Sequence, residues 1–240
     1  MSVSSPEKRN APQVLVDRLA DKRGRRVVFL SHCLLNENTR YLGGACRTCC
    51  VREVIEHSMD QGVGMVQMPC PEQQVWGGVL KTRMLALYGR RARAFPGVVK
   101  ALLPVGLLYM RWAYRAMARK VAAQIDDYVS SGFTVVGIVG IDGSPTCGVR
   151  TTVDIIGFVG DMLHADRDTL TPGDQNAWVR KHARKGQGLF VQELERALQA
   201  RHLSVSLLAH DLLGELEGRS SDVRIDSQSD VPGTRQPSSV

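Results

Sequence analysis

Four short apolar runs, each closed by glycine, proline or polar residues, set the rhythm of this chain. Arg26-Val-Val-Phe-Leu-Ser31, Gly64-Met-Val-Gln-Met68 and Phe133-Thr-Val-Val-Gly-Ile-Val139 are brief and mostly continuous in hydrophobicity, as strands buried on both faces are. Leu203-Ser-Val-Ser-Leu-Leu208 alternates and predicts a fourth strand. The third run should turn at Val139, because Gly140, Gly143 and Pro145 interrupt a ladder. Between the runs the spacing becomes helical. Cys46, Cys50, Val54 and Ile55 approximate one face of a helix over 46–61 that Gly62 ends. A longer helix is expected from Arg111 to Ser130, another over Leu189–Gln199, and a short one over Val14–Ala20. The β-helix-β order predicts an α/β fold: a single domain with a Rossmann-like, mostly parallel sheet and flanking helices.

The 240 residues suit one such domain with trimmings. Residues 1–24 are polar and charged and read as a flexible arm, 25–217 as the α/β domain, and 218–240 as a disordered tail poor in large apolar groups. Residues 150–188 are Gly/Asp-rich and predict mostly loop with short helices. One segment stands apart. Residues 95–110 are apolar, but the uncharged part, Ala101–Met110, holds Pro104 and Gly106 and is half the roughly 20 residues a spanning helix needs. It suits a lid, a dimer surface, peripheral membrane contact through 95–114, or packing against the domain.

The formal charge of +7 and sequence pI of about 9.3 admit anionic partners without choosing among them. Arg90, Arg91 and Arg93 can reach a phosphate or form a solvated face. A nucleic-acid-binding reading is weak, because no dense basic stripe interleaves with aromatics. Met1–Asn10 has no apolar core of a secretory signal, so a cytoplasmic protein with reduced thiols is expected. In that setting six cysteines point to metal, cluster or catalytic roles rather than disulfides.

Three of the six follow strand-like runs: Cys33, Cys70 and Cys147. Strand carboxyl ends are where open α/β sheets bind ligands. The residues alone leave open buried structural thiols, a zinc site and an iron–sulfur cluster. Cys46, Cys49 and Cys50, with His57 nearby, suit a zinc or redox site, or core packing on one helix flank. Gly186-Gln-Gly188 reads as a helix entry turn, and His164, His182, His202 and His210 have no interpretable spacing.

Ser31-His-Cys-Leu-Leu-Asn36, Arg40-Tyr-Leu-Gly43, Cys70-Pro-Glu72 with Gly77-Gly78, and Ser144-Pro-Thr-Cys-Gly148 together resemble the thiouracil desulfurase family, in the order its members show, over roughly residues 26–210. Against that pattern the stretch between Arg83 and Cys147 is long, with 95–110 as the apparent insertion, and Gly140-Ile-Asp-Gly143 is less basic than expected. The resemblance implies a [4Fe-4S] cluster held by Cys33, Cys70 and Cys147. One iron, lacking a protein ligand, takes the sulfur of a thiolated pyrimidine or related thioamide, which water replaces on carbon. Glu72 is then the first candidate acid/base and Ser144 a group that orients water or substrate. Asp142 is a weaker alternative base, and His32 lines the pocket. Glu72 also suits a helix N-terminal carboxylate, and Ser144 a turn or cap hydroxyl. The implied partner is a small thiolated nucleobase or nucleoside, with tRNA conceivable but without sequence support. A non-catalytic cluster-binding module, a sulfur carrier or sensor, is the alternative.

Overall fold

The computed structural model describes residues 11–219 and 234–235. After helix α1 (Ala11–Arg18) the chain enters the sheet at β1 (Arg26–Leu30), turns through one-turn helix α2 (His32–Leu35), and returns along α3 (Arg52–Asp60) to β2 (Gly64–Gln67). Short helices α4 (Pro71–Val75), α5 (Thr82–Leu85) and α6 (Arg90–Ala94) lead into α7 (Pro96–Ser130), which feeds β3 (Thr134–Asp142). The antiparallel pair β4 (Thr151–Val153) and β5 (Ala183–Lys185) brackets α8 (Ile155–His164) and α9 (Pro172–Lys181). Then come α10 (Leu189–Gln199), β6 (Leu203–Ser204), β7 (Leu207–Asp211) and α11 (Leu212–Leu216), and β8 (Thr234–Arg235) pairs with β6.

The central sheet has the order β2-β1-β3-β7 with every pair parallel, the Rossmann-like α/β arrangement expected. From β1 the chain crosses to β2 on one side, and from β2 it crosses back to β3 on the other. The crevice at the carboxyl ends of β1 and β3 is therefore a topological switch point, where such sheets bind ligands. Both sheet faces are covered. Val27, Phe29, Val135 and Ile138 pack with Tyr114, Ile125 and Phe190 of α7 and α10. Val28, Leu30, Val136, Val139 and Ile141 pack with Leu34, Val54 and Leu212. A register shift lets β3 carry an extra residue between the partners of Val27 and Val28, which are Val135 and Gly137. This bulge keeps both apolar sets of β3 facing their own clusters; without it one set would point to the wrong face.

Several expectations need correction. β3 does not stop at Val139 but runs through Gly140 to Asp142, because β7 supplies partners as far as the Asp142–Asp211 pair. The chain turns one residue later at Gly143, whose φ of 82° suits glycine. The last sheet strand lies at 207–211 rather than 203–208: Ser206 O accepts Ile138 N at 2.9 Å and the ladder proceeds from Leu207, while Leu203–Ser204 pair outside the sheet. Residues 46–51 are not helical. The buried Glu37 carboxylate accepts the Cys46 and Arg47 N–H groups at 2.7 and 2.9 Å, holding them in a loop until α3 starts at Arg52. Residues 150–188 carry two ten-residue helices, one capped by Asp154 and one by the Thr171–Asp174 capping box. The N-terminal helix covers 11–18 rather than 14–20. Residues 1–10 of the flexible arm expected over 1–24, and most of the tail expected at 218–240, lie outside the described residues.

Helix α7 carries the largest difference. The expected 111–130 helix is its buried part, with Tyr114, Ala118, Val121 and Ile125 inward, and the apolar insertion is the same helix continued backwards through Pro104 to Pro96. Thirty-five residues make a rod of about 52 Å. Among the described residues no helix is long and apolar enough to cross a membrane.

Candidate functional site

Three local devices bring the cysteines to one place. Cys33 follows β1 on α2, whose start is fixed by Ser31 N donating to Val139 O at 3.0 Å. Cys70 follows β2 as the N-cap of α4, its Sγ accepting from Gln73 N at 3.4 Å, with Pro71 in the first turn where its missing N–H costs nothing. Cys147 sits in the loop after β3, folded back so that Ile141 N donates to its carbonyl at 2.8 Å. That fold-back needs Gly140, because a Cβ there would overlap the Cys147 carbonyl and the Val149 side chain. The three thiols line a single cavity of about 100 Å³ at the switch point, together with His32, Arg40, Glu72, Ser144 and Thr146. Trp76, Met110, Ile155, Phe158 and Met162 supply apolar wall.

Burial governs the thiols. It pushes Cys33 up to about 12, against the pull of the Arg40 guanidinium. It raises Cys147 well above the usual thiol range, with Cys33 and Cys70 adding repulsion. Cys70 is raised by burial and then by Glu72. Unligated, all three are therefore protonated thiols, and any metal or cluster must displace protons to bind. That each thiolate would be felt by the others is the electrostatic signature of their convergence. Burial also holds His32 below its ordinary value.

Beside the thiols lies a hydrogen-bonded chain, with Thr146 Oγ1 3.7 Å from Cys147 Sγ. Thr146 Oγ1 donates to Glu72 Oε1 at 3.0 Å, which leaves Ser144 as the donor in its 3.1 Å contact with Thr146. Glu72 Oε2 is 3.4 Å from Lys81 Nζ, and Lys81 donates to Thr39 O at 2.6 Å. The order Ser144–Thr146–Glu72–Lys81 thus runs from a hydroxyl at the cavity to a buried ammonium. Ser144 Oγ also accepts from Cys147 N and Thr146 N at 3.1 and 3.3 Å, so it caps its own turn as well as facing the cavity. The α10 N-terminus clamps this loop: Leu189 N donates to Pro145 O and Phe190 N to Thr146 O, with Gly188 as N-cap. Gly186-Gln-Gly188 is thus the entry turn of α10.

Glu72 and Ser144 are brought together as expected, through Thr146, which the sequence reading did not single out. Lys81 was also missed; it lies on α4–α5 connecting chain with φ of 52°, and nothing local to it signals burial. Asp142 has a different job from the alternative base. Its Oδ1 accepts from Val149, Arg150 and Thr151 N–H groups and its Oδ2 from Arg150 Nε, so the carboxylate braces the loop and does not line the cavity. Cys46, Cys49 and Cys50 do not share a packed helix flank. Cys46 and Cys49 are exposed, Cys50 is half-buried, and the Cys49 and Cys50 sulfurs are 3.1 Å apart. His182 bonds Asp161 at 2.7 Å and His210 lies 3.0 Å from Glu215, both away from the cavity.

Among the described residues no group of three or more His, Cys, Asp or Glu side chains is spaced to hold a single metal ion. Zn–S bonds of about 2.3 Å would draw ligand sulfurs to within about 4 Å of one another, whereas a cluster's ligands sit on different irons and stand wider. The surroundings fit an anionic, sulfur-rich group. Arg40 Nε and Ser31 Oγ are buried with no hydrogen-bond partner, Arg40 lines the cavity, and its charge acts on Cys33. Comparisons with family models, with curated proteins and with solved structures return no match to this chain.

Proposed function

We propose that this protein is an iron–sulfur-dependent desulfidase that removes sulfur from a thiolated pyrimidine base or a related thioamide. Cys33, Cys70 and Cys147 would hold the [4Fe-4S] cluster. The observation that carries the reading is the convergence of these three thiols on one cavity faced by Glu72 and Ser144. When bound, such a cluster supplies a soft Lewis acid at its non-cysteine-ligated iron for the departing sulfur.

The chain's own residues account for the rest of a hydrolytic exchange, in which C=S and water become C=O and hydrogen sulfide with no oxidant or reductant. Ser144 orients the water. A proton leaving that water passes through the Ser144 and Thr146 hydroxyls to Glu72, and returns by the same path to the ring nitrogen or the leaving sulfide. Lys81, 3.4 Å from Glu72 Oε2, fixes the position of the carboxylate at the end of this path. The apolar wall of Trp76, Met110 and Phe158 holds a flat ring and excludes bulk water.

The test is anaerobic purification with iron and sulfide quantitation, followed by sulfide release from thiouracil and thiouridine. About four irons per chain are expected, lost in Cys33→Ala, Cys70→Ala and Cys147→Ala and kept in Cys49→Ala. Glu72→Gln should keep its iron and lose turnover. A colourless zinc protein would sink the cluster; iron-loaded protein that releases no sulfide from any thiolated base would leave a carrier.

A further inference from the structure

The first half of α7 shows an apolar face that nothing in the described structure covers. Phe95, Val98, Leu102, Val105, Tyr109 and Trp112 recur at intervals of three and four, so they lie along one side of the helix. Each is between 52 and 69% exposed. The opposite side of the same stretch touches the domain through Leu103 and Leu107, and full burial begins only at Met110. A row of large exposed aliphatic and aromatic groups is not a solvated face.

What covers it can be argued from charge. From Gln73 to Ile125 the chain carries ten Lys and Arg residues and no Asp or Glu. Beyond Trp112 the apolar side of α7 becomes basic: Arg119 and Lys120 stand exposed on that side, about 10 Å further along. Arg115 and Arg119 then meet Arg196 of α10 and Arg201 in the turn after it, around a shallow depression whose one acid, Glu193, is buried and already shared by Arg111, Arg115 and Arg196. A second copy laid stripe to stripe would set cations against cations. A nucleic acid would find Val and Leu where it needs bases to stack, and Tyr109 and Trp112 stack on each other. An anionic lipid surface satisfies both halves: hydrocarbon for the aliphatic row, interfacial depth for Tyr109 and Trp112, and phosphates for the basic end.

We propose that the protein docks on anionic phospholipid membranes through Phe95 and the first half of α7 as far as Trp112, lying in the interface with Arg119 and Lys120 at headgroup level. The docking is peripheral, since no described helix is long and apolar enough to cross. It does not depend on the chemistry at the thiols.

The test is flotation of the purified full-length protein with vesicles of phosphatidylcholine alone and of an equimolar mixture with phosphatidylglycerol. Binding is expected only to the anionic vesicles, weakening as salt is raised, with the tryptophan emission shifting to the blue and the shift absent in Trp112→Phe. The double variant Val105→Glu/Leu108→Glu, at exposed positions, should abolish flotation while keeping the wild-type circular dichroism and melting temperature. Arg119→Gln/Lys120→Gln should weaken it by about thirtyfold, about fivefold per charge. Three results would overturn the proposal: no flotation with either vesicle, flotation unaffected by Val105→Glu/Leu108→Glu, or a wild-type dimer in solution that the same double variant dissociates. RNA binding that excludes vesicle binding would assign the basic face to nucleic acid instead.

Discussion

Thr146→Val is the sharpest probe of the site, because it removes one oxygen and little else. Thr146 is 1% exposed, its hydroxyl is the sole bridge in the described structure between Ser144 and Glu72, and valine has nearly the same shape. The bond lost is to a charged acceptor, which is worth about 1.5–3 kcal/mol. If that bond is made in the transition state, the loss converts to a fall in kcat of roughly 10- to 150-fold. This overlaps the lower end of what general acid–base catalysis supplies, about 100- to 10,000-fold. KM should change little, since the hydroxyl passes protons rather than gripping the ring. Iron content should stay at the wild-type value, as all three cysteines remain, and Thr146→Ser should restore most of the rate by restoring the oxygen. The folded state also loses a buried hydrogen bond, so a fall in Tm of several degrees, about 2–4 °C per kcal/mol for a domain of this size, should accompany it. The assay is steady-state sulfide release on anaerobic, iron-quantified protein, with Tm read beside it. Wild-type kcat in Thr146→Val would remove the relay from the mechanism. A low kcat in both Thr146→Val and Thr146→Ser would show that the loop is damaged and not the relay.

Two further outcomes follow from the geometry. Glu215 is buried, and although burial raises its carboxyl, hydrogen bonds from His210 and Arg47 and the charge of Arg40 carry it well below the usual carboxylate range. A depressed folded value contributes stability that is full above the unfolded value of about 4.3 and is lost as pH falls through the folded one. Glu215→Gln should therefore cost about 1.5–3 kcal/mol at neutral pH, by weakening charge-assisted hydrogen bonds to Arg40 and Arg47, which both keep Glu37 as a partner, and its Tm should fall less steeply than that of wild type below about pH 4.3; parallel acid limbs in differential scanning calorimetry would contradict the assignment. Gly148→Ala would place a Cβ against the carbonyl oxygens of Thr151 and Ser144, both backbone atoms of the cysteine loop. The loop must open to admit it, so iron per chain should fall towards that of Cys147→Ala while far-UV circular dichroism is kept; full iron loading would show that the loop yields without moving Cys147.

Much of this was legible along the chain. Short apolar runs mark where the strands lie, and Cys33, Cys70 and Cys147 come three, three and five residues after β1, β2 and β3 end, which places them at the strands' carboxyl ends. The parallel sheet and the meeting of Cys33, Cys70 and Cys147 follow from that order, because a right-handed β-helix-β crossover returns every strand in the same direction. The sequence also marked 95–110 as out of place.

What tertiary structure alone decided are the matters that turn on partners distant in sequence. Glu72 and Thr146 are 74 residues apart and meet only because β2 and β3 flank β1, and Lys81 joins them only through a loop with no local signature. Asp142 looked like a base because a carboxylate near a cysteine loop is reactive in principle; three backbone N–H groups make it a brace. The Cys46–Cys50 segment has helical spacing, but Glu37 captures its N–H groups before a helix can. Pro104 reads as a break, yet on an exposed stretch of a long rod it removes one hydrogen bond that the adjoining turns outweigh. Local pattern sets the period and the stops of the chain, while the fold chooses which polar atoms find each other, and at the strand ends those choices make the site.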